Sequence, residues 1–294
     1  MQQIFVKAFA KINLVLDVLK KREDGYHEVE MIMQAISLHD EVIIKPGKGI
    51  KVVTNHPLVP NGEKNLAYKA AQLLVNKYSV IPGVEIYIDK KIPIAAGLAG
   101  GSSNAAAVIL GLNELFTLNM DMEEMLTISG QLGSDVPFCI SGPTVLAWGR
   151  GELIKEISEC PLLWVVLVKP EFGVQTADVY RNLNLKEIVK HPHISEYIKA
   201  LNIKDVNYVI NNLNNILEQS TFKLYPEVKK LKESLQLLGA NHVLMSGSGP
   251  TVFALFKSRE EALNFTRQAK KYYNQVYIAH TLSKQEINER VKLL

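Results

Sequence analysis

The stretch Pro93-Ile94-Ala95-Ala96-Gly97-Leu98-Ala99-Gly100-Gly101-Ser102-Ser103-Asn104-Ala105-Ala106-Ala107 constrains this chain more than any other feature. Glycines at 97, 100 and 101 let the backbone turn tightly and bring its N–H groups close to an anion. Small polar residues then open a helix, whose first N–H groups lack internal partners and whose dipole favours negative charge. Together the loop and the helix entrance make a cradle for a triphosphate. The plainer alternative is a tight strand-to-helix turn, capped in the ordinary way by Ser103 or Asn104. Three glycines, two serines and an alanine-rich helix in one stretch favour the cradle. No lysine follows the glycines as a P-loop requires, and the Gly-x-Gly-x-x-Gly, HRD and DFG signatures are absent.

At 294 residues the chain suits one large domain or two of ordinary size. Its 33 basic and 30 acidic residues leave a net charge of +3, too balanced to imply a nucleic-acid or membrane partner. The short basic runs read as solvated faces, with Lys90-Lys91, just upstream of the glycine loop, as the exception. Cys139 and Cys160 have no CxxC spacing and read as reduced thiols. The charged start has no signal-peptide character, and the apolar run 162–168 is far shorter than the roughly 20 residues of a membrane span. A soluble, cytoplasmic protein is the expectation.

Apolar patterning predicts strands over 4–18, 31–38 and 42–44, with a polar Asp24-Gly25 turn among them. Helices are predicted over 66–78, 105–115, 122–132, 226–238 and 260–272, and strands over 84–88, 162–168, 242–245, 251–256 and 275–282. The stretch 187–217 reads as helical and rich in Asn. A composition shift near Cys160-Pro161 divides the chain into two α+β lobes, 1–160 on the nucleotide side and 161–294 on the substrate side.

Four further segments could carry chemistry. Asp135, in Gly133-Ser134-Asp135-Val136-Pro137-Phe138, is isolated among apolar residues, where a carboxylate is retained when paired or functional. It could accept the proton of an attacking hydroxyl, whereas the plain reading makes it a capping or turn residue. Lys11, in Ala8-Phe9-Ala10-Lys11-Ile12-Asn13-Leu14, is its natural partner, to stabilise charge on the attacking oxygen, or else an edge-strand lysine that blunts pairing. Asp24-Gly25-Tyr26-His27-Glu28 sets an aromatic ring beside an imidazole on a turn, a pairing that suits a nucleobase. Met245-Ser246-Gly247-Ser248-Gly249-Pro250-Thr251 is a second glycine-rich loop, equally good as a hairpin turn.

In this order the pieces resemble the GHMP kinase family, whose three motifs match Lys11 to Leu14, Pro93 to Ala107 and Leu244 to Thr251. The resemblance implies a two-lobed GHMP kinase fold, with an N-terminal lobe like ribosomal protein S5 domain 2 and a ferredoxin-like C-terminal lobe. It also implies transfer of the γ-phosphate of ATP, accompanied by Mg²⁺, to the 2-hydroxyl of a cytidine-diphosphate-linked methylerythritol in non-mevalonate isoprenoid biosynthesis. No tightly bound cofactor is implied. Lys11 and Asp135 would be catalytic. Pro93, Ala95, Ala96, Gly97, Leu98, Ala99, Gly100, Gly101, Ser102, Ser103 and Asn104 would hold ATP. Asn13, Tyr26 and His27 would hold the substrate, with Tyr180, or less favourably Phe172, closing an aromatic sandwich on the cytosine. The magnesium ligands stay open: Ser102 or Ser103 could contribute, and no acidic cluster declares itself. Where relatives carry glycine, this loop has Ala95, Ala96 and Ala99. Alanine disfavours positive φ, so the cradle should survive with less freedom. The rival readings are a kinase for another alcohol such as homoserine, in which Tyr26 and His27 are dispensable, a non-catalytic ligand sensor, and a nucleic-acid-binding module on the S5-like lobe, which the near-neutral charge disfavours.

Overall fold

The computed structural model describes residues 2–294. The chain begins as one long antiparallel hairpin, β1 (Ile4–Lys21) and β2 (His27–Pro46), in which aliphatic and β-branched residues alternate onto buried faces. Between them Gly25 takes φ +84° and the Asp24 carboxylate accepts from Tyr26 N at 3.1 Å, the local bonding that favours Asp in turns. The stretches 31–38 and 42–44, expected as separate strands, are a single strand. His39, Asp40 and Glu41 interrupt the apolar pattern without ending it, because Asp40 is wholly buried and hydrogen-bonded from outside the sheet.

There follow β3 (Gly49–Thr54), α1 (Leu66–Lys77), β4 (Gly83–Asp89), α2 (Gly100–Leu115), α3 (Met122–Gly130), α4 (Val136–Ile140), β5 (Thr144–Gly149) and β6 (Leu153–Glu156). The second half comprises β7 (Trp164–Val168), α5 (Thr176–Arg181), a 3₁₀ turn (Leu185–Glu187), α6 (Ile194–Asn202), α7 (Val206–Asn211) and β8 (Asn214–Asn215). It continues through α8 (Glu218–Leu224), α9 (Pro226–Leu237), β9 (Val243–Met245), β10 (Val252–Phe256), α10 (Arg259–Ala269), β11 (Val276–His280), α11 (Lys284–Asn288) and β12 (Val291–Leu293).

Among the described residues one sheet runs β12-β1-β2-β4-β3, with β5 and then β6 continuing from the other end of β2 and β8 lying parallel on β1. The other sheet has the antiparallel order β11-β7-β10-β9, which is the ferredoxin-like arrangement. The chain changes sheets between β6 and β7, but β8 and β12 return to the first sheet, so the C-terminal half is stitched into the N-terminal one. Among the described residues no helix is long and apolar enough to cross a membrane.

Two departures from sequence expectation fall where the glycine loop meets this frame. Helix α2 begins at Gly100, five residues before the alanine run on which propensity alone would start it. Ala95 and Ala99 also adopt φ +50° and +57°, so alanine occupies the left-handed region it was expected to avoid. Packing around the loop enforces this: Leu98 is buried, and its carbonyl accepts from Lys11 N at 3.2 Å. Left-handed geometry costs an alanine roughly 1–2 kcal/mol, while glycine costs about 0.4–1 kcal/mol in unfolded-chain entropy. Ala99→Gly should therefore raise the unfolding free energy by about 0.5–1 kcal/mol, measured by urea denaturation.

The C-terminal segment braces the short helix α4. Arg290 donates to Cys139 O at 3.0 Å and also to Ile140 O, satisfying the carbonyls at the end of that helix. Burial lowers its guanidinium pKa to about 10, which leaves it fully charged at neutral pH. Arg290→Ala leaves two carbonyls without that partner, and a loss of about 2 kcal/mol in the same denaturation experiment is expected.

Candidate active site

A cavity of about 1020 Å³ opens between the glycine loop, the β1–β2 hairpin, α5 and the second glycine loop. Its floor is the entrance of α2. Ala99, at the cap position, offers no side-chain acceptor, and Ser103 N is the first amide of the helix to be bonded, to Ala99 O at 2.8 Å. The amides of Gly100, Gly101 and Ser102 have no acceptor among the described residues and lie at the positive end of the helix dipole. The plainer alternative, an ordinary cap, is not what the structure shows. Ser103 turns its hydroxyl away to Phe9 O at 2.6 Å, and Asn104 is engaged by Asp40 and Lys90.

Asp40 secures this entrance. Its buried carboxylate accepts from Lys91 N at 2.7 Å, Ile92 N at 2.8 Å and Asn104 Nδ2 at 2.8 Å, and pairs with the Lys90 ammonium. Lys90 also reaches Asn104 Oδ1 at 3.0 Å. A β-carbon on Gly100 would lie 3.2 Å from Lys90 Nζ, so the ammonium stands beside the first turn of α2. Lys90 is thus the exception expected among the basic runs, whereas Asp40 escaped sequence reasoning because nothing in its spacing marks it.

Lys11 and Asp135 come together across the cavity, Nζ to Oδ2 3.7 Å. Lys11 lies between two register shifts of β1 against β2, the kind of irregularity that re-aims a side chain. Its strand is no edge there, since the glycine loop bonds Lys11 N. Its ammonium donates to Asn13 Oδ1 at 2.8 Å, so Asn13 orients the lysine as well as lining the cavity. Asp135 precedes α4 but caps nothing: its side chain makes no cap hydrogen bond and remains about one-third exposed, which leaves its oxygens available as proton acceptors. Cys139 follows in the same helix. Burial first, and the Asp135 charge second, push its thiol well up, so it stays neutral and offers no competing nucleophile.

At the far end the rings converge. His27 and Tyr180 have centroids 5.3 Å apart at 33°. Burial, then the charge of Lys21, lower the His27 pKa, so the imidazole is neutral at pH 7 and can both donate and accept. Burial, then Asp135, raise that of the Tyr180 phenol. Tyr26 is 56% exposed and carries the Arg150 guanidinium 5.1 Å from its ring centre. Phe172, the alternative to Tyr180, instead stacks on Tyr225 at 6.0 Å, away from the cavity. Of the residues given a catalytic, ATP-binding or substrate-binding role from sequence, Ser103 and Phe172 alone do not line it. Arg150, Lys64 and Asn65 line it unforeseen, because single polar residues in a strand end or a loop carry no pattern. Among the described residues no group of three or more His, Cys, Asp or Glu could hold a metal.

The family model for the GHMP kinases N terminal domain matches residues 65–143, and that for the GHMP kinases C terminal matches 187–275. The 4-diphosphocytidyl-2-C-methyl-D-erythritol kinase of Shouchella clausii is 50% identical over 274 residues, 92% of each chain. That of Acetivibrio thermocellus is 52% identical over 263 residues, 89% of this chain and 93% of its own. A crystal structure of 4-(cytidine 5'-diphospho)-2C-methyl-D-erythritol kinase superposes with a TM-score of 0.81 at 32% identity, covering 94% of this chain and 98% of that one. Homoserine kinase from Cytophaga hutchinsonii, at 22% identity and a TM-score of 0.73, shares the fold over 99% of this chain and 97% of its own. With uncapped helix amides and a lysine–aspartate pair lining one cavity, and with relatives half identical over nearly its whole length, the chain belongs to the GHMP kinase family.

Proposed function

We propose that this chain transfers the γ-phosphoryl group of ATP to the 2-hydroxyl of 4-diphosphocytidyl-2-C-methyl-D-erythritol. The observation that carries the reading is the Lys11–Asp135 pair, 3.7 Å apart in the cavity floored by the open amides of α2. The amides of Gly100, Gly101 and Ser102 would take the phosphates of ATP, and the wall from Leu58 to Leu66 the rest of the nucleotide. Magnesium would arrive with ATP, bound chiefly by phosphate oxygens. The Ser102 hydroxyl, at the helix entrance, is the side-chain donor that fits it, and Ser103 is not.

In the reaction, the acceptor oxygen bonds to the γ-phosphorus while the bond from that phosphorus to the β,γ-bridging oxygen breaks. The electron pair leaves with ADP, and the hydroxyl proton passes to the Asp135 carboxylate. Lys11, held by Asn13, stabilises the negative charge that develops on the attacking oxygen. Tyr26, His27 and Tyr180 form the base-recognising end, with His27 hydrogen-bonding the cytosine edge and the two tyrosines supplying faces. The near-balanced charge and unpaired thiols at Cys139 and Cys160 support a small-molecule enzyme of the cytoplasm.

The purified protein with ATP, Mg²⁺ and the cytidylated methylerythritol should release ADP in proportion to phosphorylated product. Faster turnover of homoserine or mevalonate would reject the assignment. Asp135→Asn should lower kcat by about 10²–10⁴-fold while ADP affinity changes little, because a proton acceptor is lost and no phosphate contact is. Parallel loss of both would make Asp135 structural. Tyr26→Ala should raise the KM of the cytidylated substrate at least tenfold more than that of ATP, read from steady-state kinetics at saturating co-substrate; a selective rise for ATP contradicts the assignment.

A further inference from the structure

The second glycine loop is a tight turn closed by Gly249 N donating to Ser246 O at 2.9 Å, with Gly247 at φ +56° as its first central residue. The carbonyls of Met245, Ser246, Gly247 and Ser248 are all engaged. Asn215 Nδ2 takes both Met245 O and Gly247 O at 2.8 Å each, Thr221 Oγ1 takes Ser248 O at 3.2 Å, and the turn itself uses Ser246 O. Its donors are not. The amides of Gly247 and Ser248 have no acceptor among the described residues, although both residues are buried and both line the cavity. A turn whose acceptors are tied back and whose two central N–H groups are left unspent has the chemistry of an anion site. A buried N–H without a partner costs about 1–3 kcal/mol, so such an arrangement favours an occupant rich in acceptors.

Its position identifies that occupant. A β-carbon on Gly247 would stand 3.5 Å from Lys11 Nζ and 3.6 Å from Gly97 Cα, in the space between the catalytic lysine and the first glycine loop. We propose that Gly247 and Ser248 form a second amide cradle that binds the transferring phosphoryl group opposite the entrance of α2, with Asn215 as its positioning residue. The proposal rests on the kinase reading above but not on the identity of the acceptor. As the γ-phosphorus leaves the β,γ-bridging oxygen for the acceptor oxygen, its equatorial oxygens carry charge that neither Asp135 nor the α2 amides face from this side. The two N–H groups would supply hydrogen bonds there without needing to move. Asn215 explains part of the Asn-rich stretch: it is buried, its Oδ1 accepts from Leu217 N at 3.0 Å, and its amide nitrogen bridges two carbonyls of the loop. With those carbonyls released, their negative ends could swing toward the phosphoryl group.

The test removes one N–H at a time. In semisynthetic full-length protein, Ser248 or Gly247 is replaced by its α-hydroxy acid counterpart, which turns the amide into an ester and leaves the side chain unchanged. Each ester should lower kcat by about 10²-fold, the usual effect of losing one oxyanion donor. Affinity for a fluorescent ADP analogue should stay within twofold, and affinity for ADP with aluminium fluoride, a mimic of the phosphoryl in flight, should fall in step with kcat. Asn215→Ala should show the same split with a smaller loss of kcat. Turnover within twofold of wild type in both esters overturns the proposal, as does a loss of ADP affinity as large as the loss of kcat, which would make the turn a prop for the first loop. The aluminium fluoride measurement needs no acceptor, so it still decides the matter if the wild-type protein does not turn over the cytidylated substrate.

Discussion

A β-carbon on Gly97 would sit 2.3 Å from the carbonyl oxygen of Ser246 and 3.0 Å from that of Gly249. That forbidden contact is the constraint on which the site depends. Only glycine at 97, itself at φ +73°, lets the two glycine loops close upon each other, and the Ser246 hydroxyl then locks them through Gly97 O at 3.0 Å. One loop comes from the first sheet's half of the chain and the other links β9 and β10 of the second sheet. Their contact therefore fixes the distance between the entrance of α2 and the turn beside Lys11. Gly173 adds a second point of closure, since a β-carbon there would lie 3.0 Å from Ala95 Cβ.

The Asp40 network holds the other side of the same loop. A buried ion pair is an expensive device, because both charges lose their water, and replacing it with apolar groups often stabilises a protein. Here the carboxylate also bonds two consecutive amides and Asn104 in the second turn of α2, so it ties the end of β4's connection, the middle of β2 and the N-terminal part of α2 to one point. The arrangement reads better as positioning than as stability. It keeps Lys90 beside the open amides with its charge partly compensated, and leaves no polar side chain to cap the helix and compete with an anion.

Much of this was legible in the sequence, and the illegible parts share a cause. The glycine loop, Lys11, Asp135 and the Tyr26-His27 turn each carry a local signature, and all of them line one cavity. The predicted helices and most strands lie where apolar periodicity put them. What failed was long-range. The break expected in β2 is bridged because Asp40 finds its partners some fifty residues away. Helix α2 starts early because the contacts of Leu98, Ser103 and Asn104 override the low helix propensity of Gly-Gly-Ser-Ser. Ala95 and Ala99 take left-handed conformations that their own side chains disfavour, a local conflict of the kind proteins retain at functional sites. Short pairings such as β8 on β1 and β12 on β1 have too few residues to show a period.

The two ends of the cavity also differ in what sequence change can do to them. The proposed phosphate grip is made largely of backbone amides, so any sequence that permits the turns and keeps the side chains small can preserve it. On the proposed reading, recognition of the acceptor rests on side chains displayed by the exposed hairpin turn before β2 and by the six-residue helix α5, which is anchored in the core by Val179. A fold shared at 22% identity with a homoserine kinase therefore speaks to the first end and is silent on the second. Within this chain the ends are nevertheless joined. Tyr180 sits on α5, and Thr176 at the start of that helix hydrogen-bonds Ser248 at 2.8 Å, so the element proposed to present a ring to the base also touches the turn beside Lys11. Substrate seated against Tyr180 would thus bear directly on the turn at the reaction centre, which gives recognition of the remote base a physical route to influence the chemical step.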